Sequence, residues 1–219
     1  GTATLGLTEA GGGFFAPAVT APANVAVTGV AFSSITVGWA DAIPANPVGT
    51  LYVIELSTAA DFTGTLLSSQ TAGFTVNTAT LAANATHYLR VRAEFGGAEA
   101  SPFVYLSTVS AIETPTAVVF DAVSTTTLRA RATNPAGGFT NLSTGASAVA
   151  FSRDGSDLGW VAVSSISIST GLLPNTLYAF TARARNSIGA QTGASSSVST
   201  YTLAAATAPQ AGTPLFPAV

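Results

Sequence analysis

The sequence predicts an all-β protein made of two tandem β-sandwiches. The first observation behind this prediction is alternation: from Tyr178 to Arg185 every second residue is aromatic or alanine, while Thr, Arg or Ala stands between them. Such a period of two is typical of a strand with one buried face and one wet face. The second observation is that the pattern also stands 91 residues earlier, from His87 onward. A repeat of that length matches one sandwich better than a short solenoid unit.

The first repeat contains several further segments that alternate in this way. The residues predicted to face inward are Val25 and Val27, then Ile35, Val37 and Trp39, then Tyr52, Ile54 and Leu56, then Phe74 and Val76, then Leu89, Val91 and Ala93, followed by a last strand near Phe103 to Val109. Trp39 is the largest of these side chains. We therefore expect it to lie in the first core, as a structural residue.

The second repeat begins in register with the first. Thirteen residues separate Pro22 from Ile35, and thirteen separate Pro115 from Leu128. The same register puts Ala132 where the first repeat has its tryptophan. Because an alanine cannot fill that space, the sequence predicts that Phe151 and Trp160 fill the second core instead.

A corner motif precedes the alternating strand of the second repeat. Leu172, Pro174, Thr176 and Tyr178 form the pattern Leu-x-Pro-x-Thr-x-Tyr, which is typical of a tyrosine corner, whose hydroxyl bonds to upstream backbone. In the first repeat His87 stands at the tyrosine position. We expect Tyr178 to pin its corner, and His87 to be a core histidine that bonds to backbone in the same place.

These residues resemble a known family. The corner, its strand and the turn after it, Asn186 to Gly189, resemble strand F and the F–G corner of a fibronectin type III module, and Trp39 stands where that family carries its core tryptophan. The resemblance covers Pro22 to Leu203 and implies immunoglobulin-like sandwiches. In bacterial extracellular or surface proteins, modules of this family serve as spacers, adhesins, carbohydrate-associated modules and parts of appendages.

The repeat and the terminal composition predict four regions. They are an extended N-terminal segment at 1–20, which is a candidate donor strand, a first domain at 21–112, a second domain at 113–204 and an extended tail at 205–219. Both ends carry apolar residues that belong to neither sandwich. The candidate contacts between copies of the chain are Ala3, Leu5, Leu7, Phe14, Phe15, Leu215, Phe216 and Val219.

Composition excludes several kinds of chemistry. Only 8% of the residues are charged, the net charge is −3, and Lys, Cys and Met are absent. Without lysine or cysteine the chain has no Schiff base, disulfide or thiolate metal ligand. The sequence predicts no nucleic-acid partner, no membrane span, no metal and no cofactor. With one histidine and scattered carboxylates, we expect no catalytic residues and no enzyme.

Four polar residues are further candidates for a role at the surface. Asn84 and Asn141 begin acceptor sequons in predicted turns, where a glycan could project. Arg90 and Arg92 face outward on their strand, and we expect ion pairs with Glu55 on the neighbouring strand rather than a cationic surface for a partner.

The sequence favours an extracellular structural protein, located outside the cell or on its surface. In this hypothesis the chain is a subunit of a filament, pilus-like fibre or surface layer, and a terminal segment of each copy adds a strand to the next copy, head to tail. The alternative is a spacer, adhesion or carbohydrate-binding fragment of a larger surface protein or polysaccharide-acting enzyme, with glycans as partners. A carbohydrate platform would need coplanar aromatics, for which only Tyr88, Trp160 and Tyr201 are candidates.

Overall fold

The computed structural model describes residues 18–96, 99–168 and 170–206. These residues form fourteen β-strands in four sheets, two sheets to a sandwich. The all-β prediction is therefore confirmed. Within the described ranges, no helix is long and apolar enough to span a membrane.

The first sandwich pairs a three-stranded sheet with a four-stranded one. Its strands are β1 (Ala23–Val30), β2 (Ile35–Ala40), β3 (Leu51–Ser57), β4 (Leu66–Thr71), β5 (Thr75–Asn77), β6 (Thr86–Glu94) and β7 (Val104–Val109). The strand order is β1-β2-β5 in one sheet and β4-β3-β6-β7 in the other.

The second sandwich repeats this arrangement strand for strand. Its strands are β8 (Ala117–Val123), β9 (Leu128–Thr133), β10 (Ala148–Arg153), β11 (Ser156–Val161), β12 (Ser165–Ile168), β13 (Leu177–Arg185) and β14 (Val198–Tyr201). The sheet orders are β12-β9-β8 and β11-β10-β13-β14. Strands β4 and β11 have no counterpart in the sequence-based prediction, because neither segment alternates between apolar and polar residues.

The two cores are filled in different ways. In the first sandwich Trp39 is 7% exposed, and its ring centre lies 5.6 Å from that of Tyr52. In the second, Phe120 and Phe180 meet edge to face at 5.3 Å, beside the fully buried Phe151. Each core thus contains a pair of large rings, but the pairs occupy different strands.

Trp160 is not part of the second core, contrary to the sequence-based prediction. It lies on β11 opposite Ala150 of β10, and Ala150 in turn pairs with Arg183 of β13. Because Arg183 belongs to the outward row of β13, the indole lies on the outer face of the sheet. The prediction was wrong because β11 was not recognised as a strand, so its register was unknown.

Contacts between Cα atoms divide the described residues into two compact units. Unit 1 comprises 18–29, 35–78 and 86–108, and unit 2 comprises 30–34, 79–85 and 109–206. The predicted limits, 21–112 and 113–204, place the loops 30–34 and 79–85 in the first domain instead. The sequence repeat follows chain order, whereas these two loops make their contacts within unit 2.

One loop in each sandwich is organised by a polar side chain that follows the second strand. In unit 1 Asp41 accepts hydrogen bonds from the Ala42 amide at 2.8 Å and the Tyr52 hydroxyl at 2.7 Å. The bond from Tyr52 lowers the pKa of the Asp41 carboxyl below its ordinary value. In unit 2 the corresponding residue is Asn134, whose side-chain amide bonds to both backbone groups of Gly138.

Hydroxyl side chains replace part of the backbone ladder beside β6 and β13. The Ala93 amide donates to Ser101 Oγ at 2.9 Å in unit 1. In unit 2 the amides of Ala182 and Ala184 donate to Ser195 Oγ and Thr192 Oγ1, both at 3.0 Å. These bonds satisfy strand amides where the last strand of each sandwich has not yet begun, and we call them hydroxyl rungs.

Candidate functional site

The terminal residues predicted to contact other copies lie outside the described residues. These are Ala3, Leu5, Leu7, Phe14, Phe15, Leu215, Phe216 and Val219. Their role as contacts between copies stays a prediction.

The corner of the second sandwich is pinned by Tyr178. Its hydroxyl accepts a hydrogen bond from the Leu173 amide at 2.8 Å and lies 3.5 Å from the Gly171 carbonyl oxygen. This is the upstream backbone bonding that the motif predicts. His87, at the matching position of the first sandwich, is 1% exposed on β6. A group so deeply buried cannot reach a substrate in solvent.

Asn84 does not project from its turn as the sequon suggested. It is 1% exposed, and its side-chain nitrogen lies 3.0 Å from the carbonyl oxygens of Thr140 and Asn141 and 2.8 Å from Ser147 Oγ. Its side-chain oxygen accepts from the Ser187 amide at 2.7 Å. A glycan on this nitrogen would displace these acceptors, all of which belong to unit 2.

Asn141 differs from Asn84 in being exposed, although the two residues bond to each other. The Asn141 side-chain nitrogen donates to the Asn84 carbonyl oxygen at 3.2 Å, while the Asn84 side chain donates to the Asn141 carbonyl oxygen. Both residues have left-handed backbone, with φ of 48° and 52°. Glycosylation of Asn141 stays a prediction.

On the outer face of the first sandwich, two arginines lie against aromatic rings. The Arg90 guanidinium lies 4.2 Å from the ring centres of both Phe62 and Phe103, and Arg92 lies 4.6 Å from that of Phe103. Arg90 also forms the predicted ion pair with Glu55, at 2.5 Å. The ion-pair prediction is confirmed for Arg90, and the aromatic partners add cation–π attraction.

The second sandwich has a similar stack around Trp160. The guanidinium of Arg183 lies 5.1 Å from the indole centre, and that of Arg185 lies 4.5 Å from it. Arg183 also pairs with Asp157. Beneath the stack, Ala148 and Ala150 are at most 3% exposed although they face outward. The small alanines thus make a trough that the indole and the arginine stems fill.

The three rings considered for a carbohydrate platform have different surroundings. The face of Trp160 is occupied by arginine side chains. Tyr201 is 60% exposed but lies on β14, at the opposite edge of the same sheet from β11. Tyr88 belongs to unit 1. Trp160 and Tyr201 are therefore separated by the two central strands of their sheet.

The described residues also contain no group of three His, Asp or Glu side chains that could hold a metal ion. Glu113 is nearly buried, but its carboxylate accepts hydrogen bonds from the Thr140 amide and hydroxyl. The Glu113 carboxylate thus binds the backbone and side chain of Thr140.

The sheet edges are a further candidate for a binding surface. Each sheet ends in outer strands, and six of these eight strands carry no charged residue: β1, β4, β5, β7, β12 and β14. The exceptions are β8 with Asp121 and β11 with Asp157, and both have an irregular register with their neighbour. An outer strand offers unpaired backbone groups to another strand.

Comparison with known proteins shows likeness of structure only. No protein-family model and no curated protein matches the sequence. The structure is similar to a two-domain fibronectin type III segment from chicken tenascin, with 12% identity, 83% of this chain and 99% of that chain covered, and a TM-score of 0.59. The match to the FN1-FN3 domains of chicken CNTN1 has a TM-score of 0.38 and 16% identity, and it covers 86% of this chain and 69% of that chain. The match to the central fibronectin-III array of RIM-binding protein has a TM-score of 0.32 and 18% identity, and it covers 87% of this chain and 71% of that chain.

The strand orders and the pinned corner define a protein of tandem immunoglobulin-like β-sandwiches. More particularly, the chain has the fold of two tandem fibronectin type III domains. Such a fold supports many functions, so the function must be argued from the surfaces.

Proposed function

We propose that the protein is an extracellular structural subunit that assembles into a filament, pilus-like fibre or surface layer. A terminal segment of one copy adds a strand to a sheet of the next, head to tail. The observation that carries this proposal is the set of uncharged outer strands. Natural proteins usually block such edges with lysine, proline or bulges, and this chain contains no lysine at all.

The rest of the composition supports the same function. With 8% charged residues, two copies can pack closely without bringing many like charges together or desolvating many ions. The apolar residues near both termini supply segments that gain from burial on a neighbour. Repeated head-to-tail contact that does not close into a ring produces a filament.

The proposal is tested by the assembly of the full chain. We expect sedimentation velocity at rising concentration to show polymers, and negative-stain microscopy to show fibres or sheets. Deletion of residues 1–15 should leave the melting temperature nearly unchanged and abolish assembly. Leu5→Ser combined with Leu7→Ser keeps the length of the segment and serves as the matched variant. Assembly of the deleted chain to the wild-type extent would contradict strand exchange by this segment.

A second candidate function is a spacer or adhesion fragment of a larger surface protein. It is favoured by the similarity of 83% of the chain to a two-domain segment of chicken tenascin. A chain that remains a monomer at every concentration in the same experiment would favour this alternative over self-assembly.

A further inference from the structure

Strand β4 differs from the other outer strands in how its two faces are covered. Strands β1, β7 and β14 alternate, with every second residue at least half-buried. Five of the six residues of β4 are exposed, and the sixth is only partly buried. An outer strand of a sandwich normally buries the side chains of its inner face, so β4 lacks the cover that its neighbours have.

The register of β4 identifies which exposed side chains should have been covered. Leu67 pairs with Leu56 of β3, which is 3% exposed and faces the core. Leu67 therefore belongs to the core-facing row, yet it is 42% exposed. Phe74, which follows β4 and lies 5.5 Å from the ring of the core residue Tyr52, is 45% exposed. Apolar surface thus remains open beside an unpaired strand.

The backbone of β4 is also suited to accept another strand. All six of its residues pair with β3 in continuous register, from Tyr52↔Thr71 to Ser57↔Leu66. The strand contains no proline and no charged residue. By contrast β11 carries Asp157 and an irregular register, and β5 is only three residues long. None of the usual devices that block edge pairing occurs on β4.

We propose that β4 is the edge that accepts the N-terminal segment, Thr2 to Thr8, of a second copy of this chain; this inference rests on the function proposed above. When extended, the segment puts Ala3, Leu5 and Leu7 on one face and mainly threonine on the other. The apolar face covers Leu67, and the threonine face continues the polar outer surface of the sheet.

Length and composition favour this segment over the C-terminal tail. Seven extended residues span about 23 Å and the six residues of β4 about 20 Å, so the two match. Between Thr2 and Thr8 the segment has neither charge nor proline. The tail contains Pro209, Pro214 and Pro217, each of which removes a donor from a strand ladder.

Two neighbouring leucines provide a matched test. Leu66 and Leu67 have similar exposure, 46% and 42%, but belong to opposite faces of β4. In Leu67→Gln the polar amide would be buried by an incoming strand, whereas in Leu66→Gln it stays in water. We expect the first variant to lose polymers in sedimentation velocity and the second to assemble like the wild type, with both melting normally. Equal assembly of the two variants would overturn the inference.

Cross-linking tests the same contact without relying on the folding of a glutamine variant. The wild-type chain has no cysteine, so the background is zero. In the experiment a Thr4→Cys chain is mixed with a Ser68→Cys chain and oxidised. In the control the Thr4→Cys chain is mixed with a Ser107→Cys chain, whose cysteine lies on β7 at the other edge of the sheet. We expect disulfide-linked heterodimers in the first mixture only.

The outcomes separate this inference from the proposed function. A cross-link to β7 instead of β4 would overturn β4 as the acceptor and leave strand exchange standing. A chain carrying both Thr4→Cys and Ser68→Cys that cross-links only within itself when dilute would also overturn it, because the segment would then pair with its own sheet. If deletion of residues 1–15 leaves assembly intact, the N-terminal segment is not the donor and this inference fails, whereas the proposed function fails if the full chain remains a monomer at every concentration.

Discussion

Asn84 and Asn175 occupy the same place in the two repeats, and both have left-handed backbone, with φ of 48° and 51°. Asn84 is buried and its side chain bonds to several groups of unit 2, whereas Asn175 is exposed. Asparagine tolerates this backbone conformation better than most residues. The comparison shows that the corner requires the residue for its backbone, and that only one copy uses its side chain as well.

The position of Trp39 gives a second contrast between the repeats. The corresponding residue in the second sandwich is Ala132, which is 3% exposed. There the large side chains come from β8 and β13 instead, where Phe120 meets Phe180. The same backbone plan thus accepts its aromatic pair at different positions, provided that the volume is filled.

The largest effect that we expect concerns this difference in the cores. Trp39→Ala should destabilise the first sandwich by about 3–5 kcal/mol because it empties a large buried site. Since the chain has two tryptophans, Trp160 then reports the second sandwich alone by fluorescence, while circular dichroism follows both. A loss below about 1 kcal/mol would contradict the importance of this core site.

The next effect separates the two asparagines. Asn84→Gly should cost about 1–3 kcal/mol, because glycine keeps the left-handed backbone but leaves buried partners unsatisfied. Asn175→Gly, the matched control, should stay within about 0.5 kcal/mol of the wild type. Denaturant unfolding measures both. Equal effects would show that the bonds of the Asn84 side chain contribute nothing to stability.

A smaller effect is expected at the tyrosine corner. Tyr178→Phe removes the acceptor of the Leu173 amide and should cost about 1 kcal/mol. Tyr201→Phe, on an exposed ring, is the control and should change the unfolding free energy little. If the two variants unfold alike, the corner bond does not stabilise the second sandwich.

The smallest effect is a difference in acid sensitivity between the two loops. Because the pKa of Asp41 is lowered in the folded chain, its stabilising contribution is present above the unfolded pKa of about 4 and is lost as the pH falls through the lower folded value. Asp41→Asn should cost less than about 1 kcal/mol at pH 7, and the difference should shrink near pH 3. Asn134→Ala should show no such pH dependence. Urea unfolding at both pH values checks this.

Much of the fold could be predicted from local pattern. The inward rows of β2, β6 and β13 alternate clearly, because each strand has one buried face and one face that is more exposed to solvent. Strands β4 and β11 escaped prediction because neither segment alternates between apolar and polar residues. The face on which Trp160 lies was predicted wrongly because β11 was not recognised, and the face of a residue depends on the register of its strand.

The polar contacts were less accessible from the sequence. A sequon describes what can be modified in an exposed chain, and nothing local to Asn84 indicates that its partners stand more than fifty residues away. The arginine and aromatic stacks likewise join residues from separate strands and loops. A clue did exist, because Ala148 and Ala150 are small residues in the outward row of a central strand, where a larger side chain could cover them.

The hydroxyl rungs beside β6 and β13 bear on hydrogen exchange. A backbone ladder opens only when two strands separate, but a hydroxyl leaves an amide by rotating about one bond, on the picosecond-to-nanosecond scale in exposed side chains. The amide of Ala184 has such a partner in the partly exposed Thr192, whereas Ser195, the partner of Ala182, is buried. The Ala184 amide should therefore exchange with solvent deuterium through local fluctuations, sooner than the Ala182 amide and the ladder-bonded amides of the same strand.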